Sequence, residues 1–370
     1  MMKSAKEKKK IAAENKAEER KIPPASIDGI PVELTEEEKK DIGTVELTVE
    51  ADELDLSVSQ LGGVGAITAK KLEEFGVTSL LDVCVRGSKE LSEITGVAKV
   101  KTNVWVRSAQ NIMIKNNMIR DPDKPVLELL EHQEQLPVIS TKSKLDELFR
   151  GGVRPESLYE VYGEFGSGKT QFCLTLAAEV IANNGKIIWI DCEDTFRPRR
   201  LAEIIIARGY ATDLEDSKKF LENITYYYCP NTEQMMAKVN SLSEKMTKDK
   251  PKLVVLDGAI GQFREEYLGR GTLAERQNQI AHLMTHLKNI SYYFNTVVLF
   301  TNQVQSDPSI MFGDPVKPIG GHIVGHAPTY RIYFKKSGRK HIARMVDSPE
   351  DPVADMQFDL TEKGIADVEE

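Results

Sequence analysis

The plainest chemistry in this chain lies in eight consecutive residues, Gly163-Glu164-Phe165-Gly166-Ser167-Gly168-Lys169-Thr170, which satisfy G-x-x-x-x-G-K-[ST]. Glycines at these spacings let backbone N–H groups turn toward a phosphate, and a helix opening at Lys169 adds the positive end of its dipole. In such a loop the lysine reaches the β- and γ-phosphates, and the Thr170 hydroxyl holds Mg²⁺. Two carboxylates stand where that site needs them. Asp257 ends the apolar run Lys252-Leu-Val-Val-Leu-Asp257 and is suited to bind the metal through water; Glu193 stands just past Lys186-Ile-Ile-Trp-Ile-Asp-Cys and can polarise a water for attack on a γ-phosphate. A third run, TVVLFTNQV, ends in the amides of Asn302 and Gln303, which can sense a γ-phosphate. Each of these residues alone also reads as a solvated residue after a strand. Together they point to hydrolysis of a nucleoside triphosphate.

Such residues need strands to carry them. SLYEVY, KIIWID, ITYYY, KLVVLD, TVVLFT and YRIYFKK read as strands, the first five apolar enough for a sheet covered on both faces. Helical patterns alternate with them, so residues 138–370 are expected to form an α/β domain with a mostly parallel sheet. Before it, residues 56–115 repeat apolar positions at helical spacing between glycine-containing turns and read as a small all-helical domain. Residues 116–137 are polar and proline-bearing, a linker with one short helix. Residues 1–55 are charged and poor in apolar material, which reads as a disordered, solvated tail or, alternatively, a partner-binding one.

A chain of 370 residues, 41% hydrophobic and 29% charged, has the composition of a globular protein of about two domains. No apolar run approaches membrane-spanning length, and no secretory signal is visible, so no membrane association is expected. The four cysteines, Cys84, Cys173, Cys192 and Cys229, form no C-x-x-C pair. That argues against zinc and disulfides and fits a reducing cytoplasm. The net charge of −8 offers nucleic acid no general attraction, so any DNA contact must come from local basic loops.

Longer stretches carry more. GEFGSGKTQ, EDTFRPRRL, FREEYLGRGTLAERQ, TNQV, FGDPVKPIGGHIVGH and HIARMVDSPEDP occur in that order. This chain resembles archaeal RadA-type strand-exchange recombinases of the RecA family, closely from Val138 onward and in kind through the helical domain. The resemblance implies a RecA-like ATPase core, ATP with Mg²⁺ as cofactors, and single- and double-stranded DNA as partners. It also implies self-association into a filament or ring, with other recombination proteins as further partners. Lys169, Glu193 and Gln303 would be catalytic, Gln303 as the γ-phosphate sensor. The nucleotide would be bound by Gly163 to Gln171 with Arg199 and His326, and capped by Asp347 and Pro349 of a neighbouring subunit.

For DNA, the resemblance points to Arg264 and Arg270 in a first loop, and to Lys317, Gly320 and Gly321 in a second, Gln305 to Gly320. Glycine-flanked basic residues in loops can wrap a phosphate backbone; without the resemblance they read as solvated charges. Ser59-Gln-Leu-Gly-Gly63-Val-Gly65-Ala-Ile-Thr-Ala-Lys70 resembles a helix-hairpin-helix, whose turn offers N–H groups to a phosphate. A second copy at Glu93 to Val100 is weaker.

The chain also departs from the pattern. Asp194 stands where the family usually has glycine, and Gly258 where it has serine. The Phe-x-x-Ala segment that joins one subunit to the next is missing. Its counterpart by position is Met118-Ile-Arg-Asp121, and the accepting pocket is rich in tyrosine, Tyr226-Tyr227-Tyr228-Cys229-Pro230. A matched exchange of knob and pocket is one reading. A non-polymerising paralogue that binds DNA or the recombinase and regulates recombination is the other.

Overall fold

The computed structural model describes residues 26–27, 30–31, 55–119, 121, 123–267, 269, 271–306, 316–338 and 340–368. Most of the expected N-terminal tail lies outside these. Within it, strands β1 (Ser26–Ile27) and β2 (Ile30–Pro31) pair antiparallel. They belong to a unit of residues 1–50, separate from residues 51–370.

Within residues 56–115 lie the helices α1 (Ala66–Glu74), α2 (Leu80–Thr95) and α3 (Lys99–Lys115). Ser79 starts α2 through a capping box: its hydroxyl accepts from the Asp82 N–H, and the Asp82 carboxylate accepts from the Ser79 N–H. Gly87, at φ 71°, breaks α2 internally, which is why its sequence reads as two apolar runs. Leu72, Leu80, Leu91, Trp105 and Met113 fill the bundle's core. The linker helix α4 (Val126–Gln135) buries none of its residues, and Val126, Leu127 and Leu130 stand exposed.

The strands that follow are β3 (Ser157–Gly163), β4 (Ile187–Asp191), β5 (Ile224–Tyr228), β6 (Leu253–Asp257) and β7 (Val297–Asn302). A short ribbon of β8 (Val304–Ser306) and β9 (Val316–Pro318) precedes β10 (Tyr330–Ser337), β11 (Lys340–Asp347), β12 (Asp355–Thr361) and β13 (Gly364–Ala366). Nine of them form one sheet in the order β13-β12-β11-β10-β3-β7-β6-β4-β5. From β10 to β5 all neighbours are parallel; the β11–β13 side is antiparallel.

Helices cover both faces: α5 (Lys169–Ala182), α6 (Pro198–Ala207), α7 (Leu214–Leu221), α8 (Thr232–Asn240), α9 (Leu242–Asp249), α10 (Ala259–Glu266), α11 (Leu273–Tyr293) and α12 (Gly321–His326). Two buried clusters result, one centred on Trp189, Phe172 and Phe334 and the other on Phe263, Phe300 and Leu256. One expectation needs correcting. ITYYY reads as apolar as its neighbours, yet among the described residues β5 pairs only with β4 and is the sheet's edge, with Tyr226 and Tyr228 exposed.

The helical bundle is fastened to the sheet domain through α11. His286 Nε2 lies 2.6 Å from Glu90, Asn289 donates to the Val85 carbonyl at 2.7 Å, and Gln110 donates to the Tyr293 hydroxyl at 2.8 Å. Arg86 bonds the same Glu90. Burial alone would raise the Glu90 carboxyl, but the His286 and Arg86 partners outweigh it and bring it down to about 2.

Candidate active site

Parallel strands deliver their tips to one edge of a sheet, where the side chains that follow them can converge. Here the tips of β3, β4, β6 and β7 do so. After β3 the chain turns through Gly166 and Gly168, both at positive φ, and Gly168 is the N-cap of α5. Gly163 admits no side chain, since a Cβ there would lie 2.1 Å from the Phe334 carbonyl oxygen. Phe165 at the loop's tip is fully exposed, whereas Ser167 is buried with its hydroxyl unpartnered among the described residues.

Lys169 curls back over the loop and donates to the carbonyls of Gly163 and Glu164, both at 2.9 Å. Burial lowers its pKa below the usual lysine range, an effect that the Glu193 and Asp257 carboxylates partly offset. The Thr170 hydroxyl donates to Asp257 at 3.0 Å. Thr301 on β7 bonds the other oxygen of Asp257, and Thr195 donates to Asp257 at 3.3 Å. Burial pushes the Asp257 carboxyl up to about 6, against the lowering effect of the Thr301 and Thr170 hydroxyls.

Glu193 rides on a turn that Asp191 folds. The buried Asp191 carboxylate accepts from the N–H groups of Glu193, Thr195 and Phe196 at 2.9 to 3.2 Å, and from the Tyr226 hydroxyl at 3.2 Å. Glu193 then accepts a bond from Gln303 Nε2 at 2.7 Å. Gly258 lies beneath it at φ 87°, and a Cβ there would be 2.3 Å from the Glu193 Cγ. Asp194 occupies the left-handed region at φ 53°, which explains why glycine suits that position; its carboxylate is exposed, 3.6 Å from Arg197.

Lys169, Thr170, Asp257, Glu193 and Gln303 therefore meet, as their spacing suggests. Asn302 does not join them: it is buried on the other side of β7, bonded to Glu160 and to the Ile319 carbonyl. Arg199 points to solvent beside Glu203, whereas Arg200 donates to Gln171 at 2.9 Å and to the carbonyls of Thr361 and Glu362. Sequence reasoning missed Asp191, Thr195, Thr301 and Arg200. Only Asp191 left a signal, as a carboxylate closing an apolar strand.

The Rad51 family model matches residues 132–368. A relative described as "DNA repair and recombination protein RadA", from Cenarchaeum symbiosum (strain A), is 38% identical over 321 residues, covering 85% of this chain and 79% of the relative. The chain belongs to the Rad51 family.

The other residues singled out in this Rad51-family chain lie in distinct places. Asp347 and Pro349 are exposed at the end of β11, where Asp347 pairs opposite Arg331 near the start of β10, and Arg331 in turn pairs with Glu160 of β3, three residues before Gly163. His326 ends α12, exposed, its ring 6.3 Å from that of His322. Arg264 lines a cavity of about 180 Å³ with Arg276, Gln277, Gln305, Gly320 and Gly321; Lys317 is exposed on β9 nearby in the chain. Arg270 lies outside the described residues. In the helical bundle, Gly63 stands at φ 77°, Gly65 is the N-cap of α1, and Lys70 is exposed on that helix.

Met118 is half-buried on its own bundle's core, and Ile119 is buried there. Asp121 accepts from the Asp123 N–H at 2.9 Å. Tyr227 packs on the sheet's second cluster under the Lys238 ammonium, 4.2 Å from its ring, and Cys229 is buried beside it in the chain.

Proposed function

We propose that this chain is an ATP-dependent DNA recombinase that assembles on single-stranded DNA and exchanges that strand with a homologous duplex. Rad51-family proteins are DNA-dependent ATPases that bind DNA and self-polymerise. The observation that carries this reading is the bond between Glu193 and Gln303. It joins the candidate general base to the first residue after β7, two residues before the second loop, so one side-chain pair would link hydrolysis to the loop expected to bind DNA.

The donor set fits a nucleoside triphosphate with its magnesium. The glycine turn, the buried Ser167 hydroxyl, which has no partner among the described residues, and the N-terminus of α5 make a cradle for phosphates. Lys169 would exchange its two carbonyl partners for phosphate oxygens, and Thr170 with Asp257 would hold the cation. Bound magnesium neutralises charge on the phosphates. Among the described residues no group of three or more His, Cys, Asp and Glu is gathered that could hold a metal. The cation would therefore draw its other ligands from phosphate and water. Glu193, released by Gln303, would orient and deprotonate the attacking water.

Arg264, Arg270, Lys317 and the glycines at 320 and 321 would hold the DNA backbone, and the Gly63–Gly65 turn with Lys70 would add a second contact. Asp347 and Pro349 would close over the nucleotide of a neighbouring copy. Among the described residues no helix is long and apolar enough to cross a membrane, and a cytoplasmic site of action fits a DNA-handling ATPase.

Electron microscopy with single-stranded DNA and a non-hydrolysable ATP analogue tests the proposal. Regular helical filaments are expected; discrete particles on bound DNA would overturn it. The inward packing of Met118 and Ile119 favours the second reading, a regulatory paralogue that does not polymerise. Where filaments form, Met118→Glu tests the segment itself. If this segment leaves its bundle to join subunits, the variant's filaments break up, and unchanged filaments place the joint elsewhere.

A further inference from the structure

Asn302 was expected at the γ-phosphate and is found inside the sheet. Its single Nδ2 donates twice, to Glu160 Oε1 at 2.7 Å and to the Ile319 carbonyl at 2.8 Å. The Ile319 N–H in turn donates to the Gln303 carbonyl at 3.1 Å. Both backbone groups of Ile319 are thus held by two adjacent residues of one strand tip. Ile319 directly follows β9, the return strand of the ribbon on which the second loop stands.

The anchor behind Asn302 is an acid set against an arginine. Glu160, fully buried in the middle of β3, gives its other oxygen to Arg331 Nε of β10 at 2.7 Å. The Arg331 guanidinium lies 5.5 Å from the centroid of the Tyr162 ring. Strands β7, β3 and β10 are adjacent, so the three polar side chains brace neighbouring strands within an otherwise apolar layer.

Apolar residues of similar volume would fill this space without the desolvation penalty of a buried ion pair, so the cluster is better explained by position than by stability. The chemistry of the amide supports that. Only a donor can satisfy a carboxylate and a carbonyl together, and an aspartate of the same shape satisfies neither. The aim of this nitrogen leaves Asn302 Oδ1 buried without a partner among the described residues, a cost accepted for the other two bonds.

We propose that Glu160, Asn302 and Arg331 are positioning residues that clamp the return of the second loop to the tip of β7, so that Gln303 and the loop move as one body. The clamp carries the effect of DNA at the loop to Gln303, and through it to Glu193. This inference rests on the recombinase reading above.

The test uses the full chain with Asn302→Asp alone and combined with Glu160→Gln. Turnover of ATP is measured with and without single-stranded DNA, beside the thermal midpoint and binding of a fluorescent ATP analogue. Asn302→Asp is expected to lower the DNA-stimulated increment about tenfold while the analogue still binds. In the double variant the new amide at position 160 can donate to the new carboxylate at position 302 and still accept from Arg331, so the thermal midpoint recovers. The Ile319 carbonyl remains without its donor, so stimulation stays lost. Undiminished stimulation in either variant, or its return together with the midpoint, overturns the clamp and leaves the cluster as packing. If Asn302→Asp alone does not fold, the double variant decides by the same criterion. A parent chain that shows no DNA stimulation would sink the recombinase reading instead. The clamp is then judged by hydrogen exchange at the Ile319 amide, expected about tenfold faster in the double variant and refuted by equal rates.

Discussion

Strands β4 and β5 lie side by side in register, each five residues long, and both run toward the candidate site. Every residue of β4 is buried, and it ends in Asp191, whose carboxylate is filled by three backbone donors and a tyrosine hydroxyl. No residue of β5 is fully buried, and its outer edge has no partner strand among the described residues. A strand flanked on both sides can hold the loop after it to the tolerance a general base needs. An edge strand cannot, but it keeps free backbone donors and acceptors and exposed aromatic surface for another chain. In this molecule the candidate site is carried by central strands, and the exposed aromatic edge lies outside them.

The contrast can be broken at either end. Lys169→Ala should give the largest effect, a loss of about a hundredfold or more in ATP turnover. Undiminished turnover would mean that the central tips are not where hydrolysis occurs. Gly258→Ala should come next. The new methyl occupies the Glu193 side chain's space at a positive φ, so turnover is expected to fall about tenfold while nucleotide binding survives. Equal rates would show that Glu193 does not work from this position.

The third prediction concerns the fastening of bundle to sheet. Because the Glu90 carboxyl is lowered in the fold from 4.5 to about 2, the native state binds fewer protons there than the unfolded chain. Its stabilisation is complete above about 4.5 and is lost as pH falls toward about 2. Denaturant titrations of Glu90→Gln should therefore show reduced stability at neutral pH and a shallower acid limb than the parent; parallel limbs would contradict the assignment. The smallest effect is expected at the edge. Tyr228→Ser should leave turnover unaltered and change monomer stability by less than about 1 kcal/mol, while any loss of filament length would assign that edge to the joint.

Much of this architecture was legible in the sequence, because buried parallel strands are written as continuous apolar runs and because phosphate loops need glycine at fixed spacings. The five residues that meet at the site follow from that grammar. What stayed hidden depends on partners distant in the chain. ITYYY looks like a central strand, since nothing local says that its far side is empty. Arg199 and Arg200 are consecutive on a helix and point about 100° apart, so composition cannot tell which one faces Gln171. Asn302 and Gln303 are also consecutive, and the alternation of a strand sends them to opposite faces. Nor does the sequence around Met118 say that Ile119, the residue beside the expected knob, packs in the bundle's own core.

Helix α11 reaches from one functional district to another. Arg276 and Gln277 near its start line the cavity beside Gly320 and Gly321, and His286, Asn289 and Tyr293 near its end hold the helical bundle. At 21 residues it is a rod about 30 Å long. Such a rod is a lever. A tilt of about 5° at the bundle end displaces the loop end by about 2 to 3 Å over that length, close to the width of an atom. A push on the bundle is thereby geared to the walls of the cavity that Arg264 lines with Gly320 and Gly321.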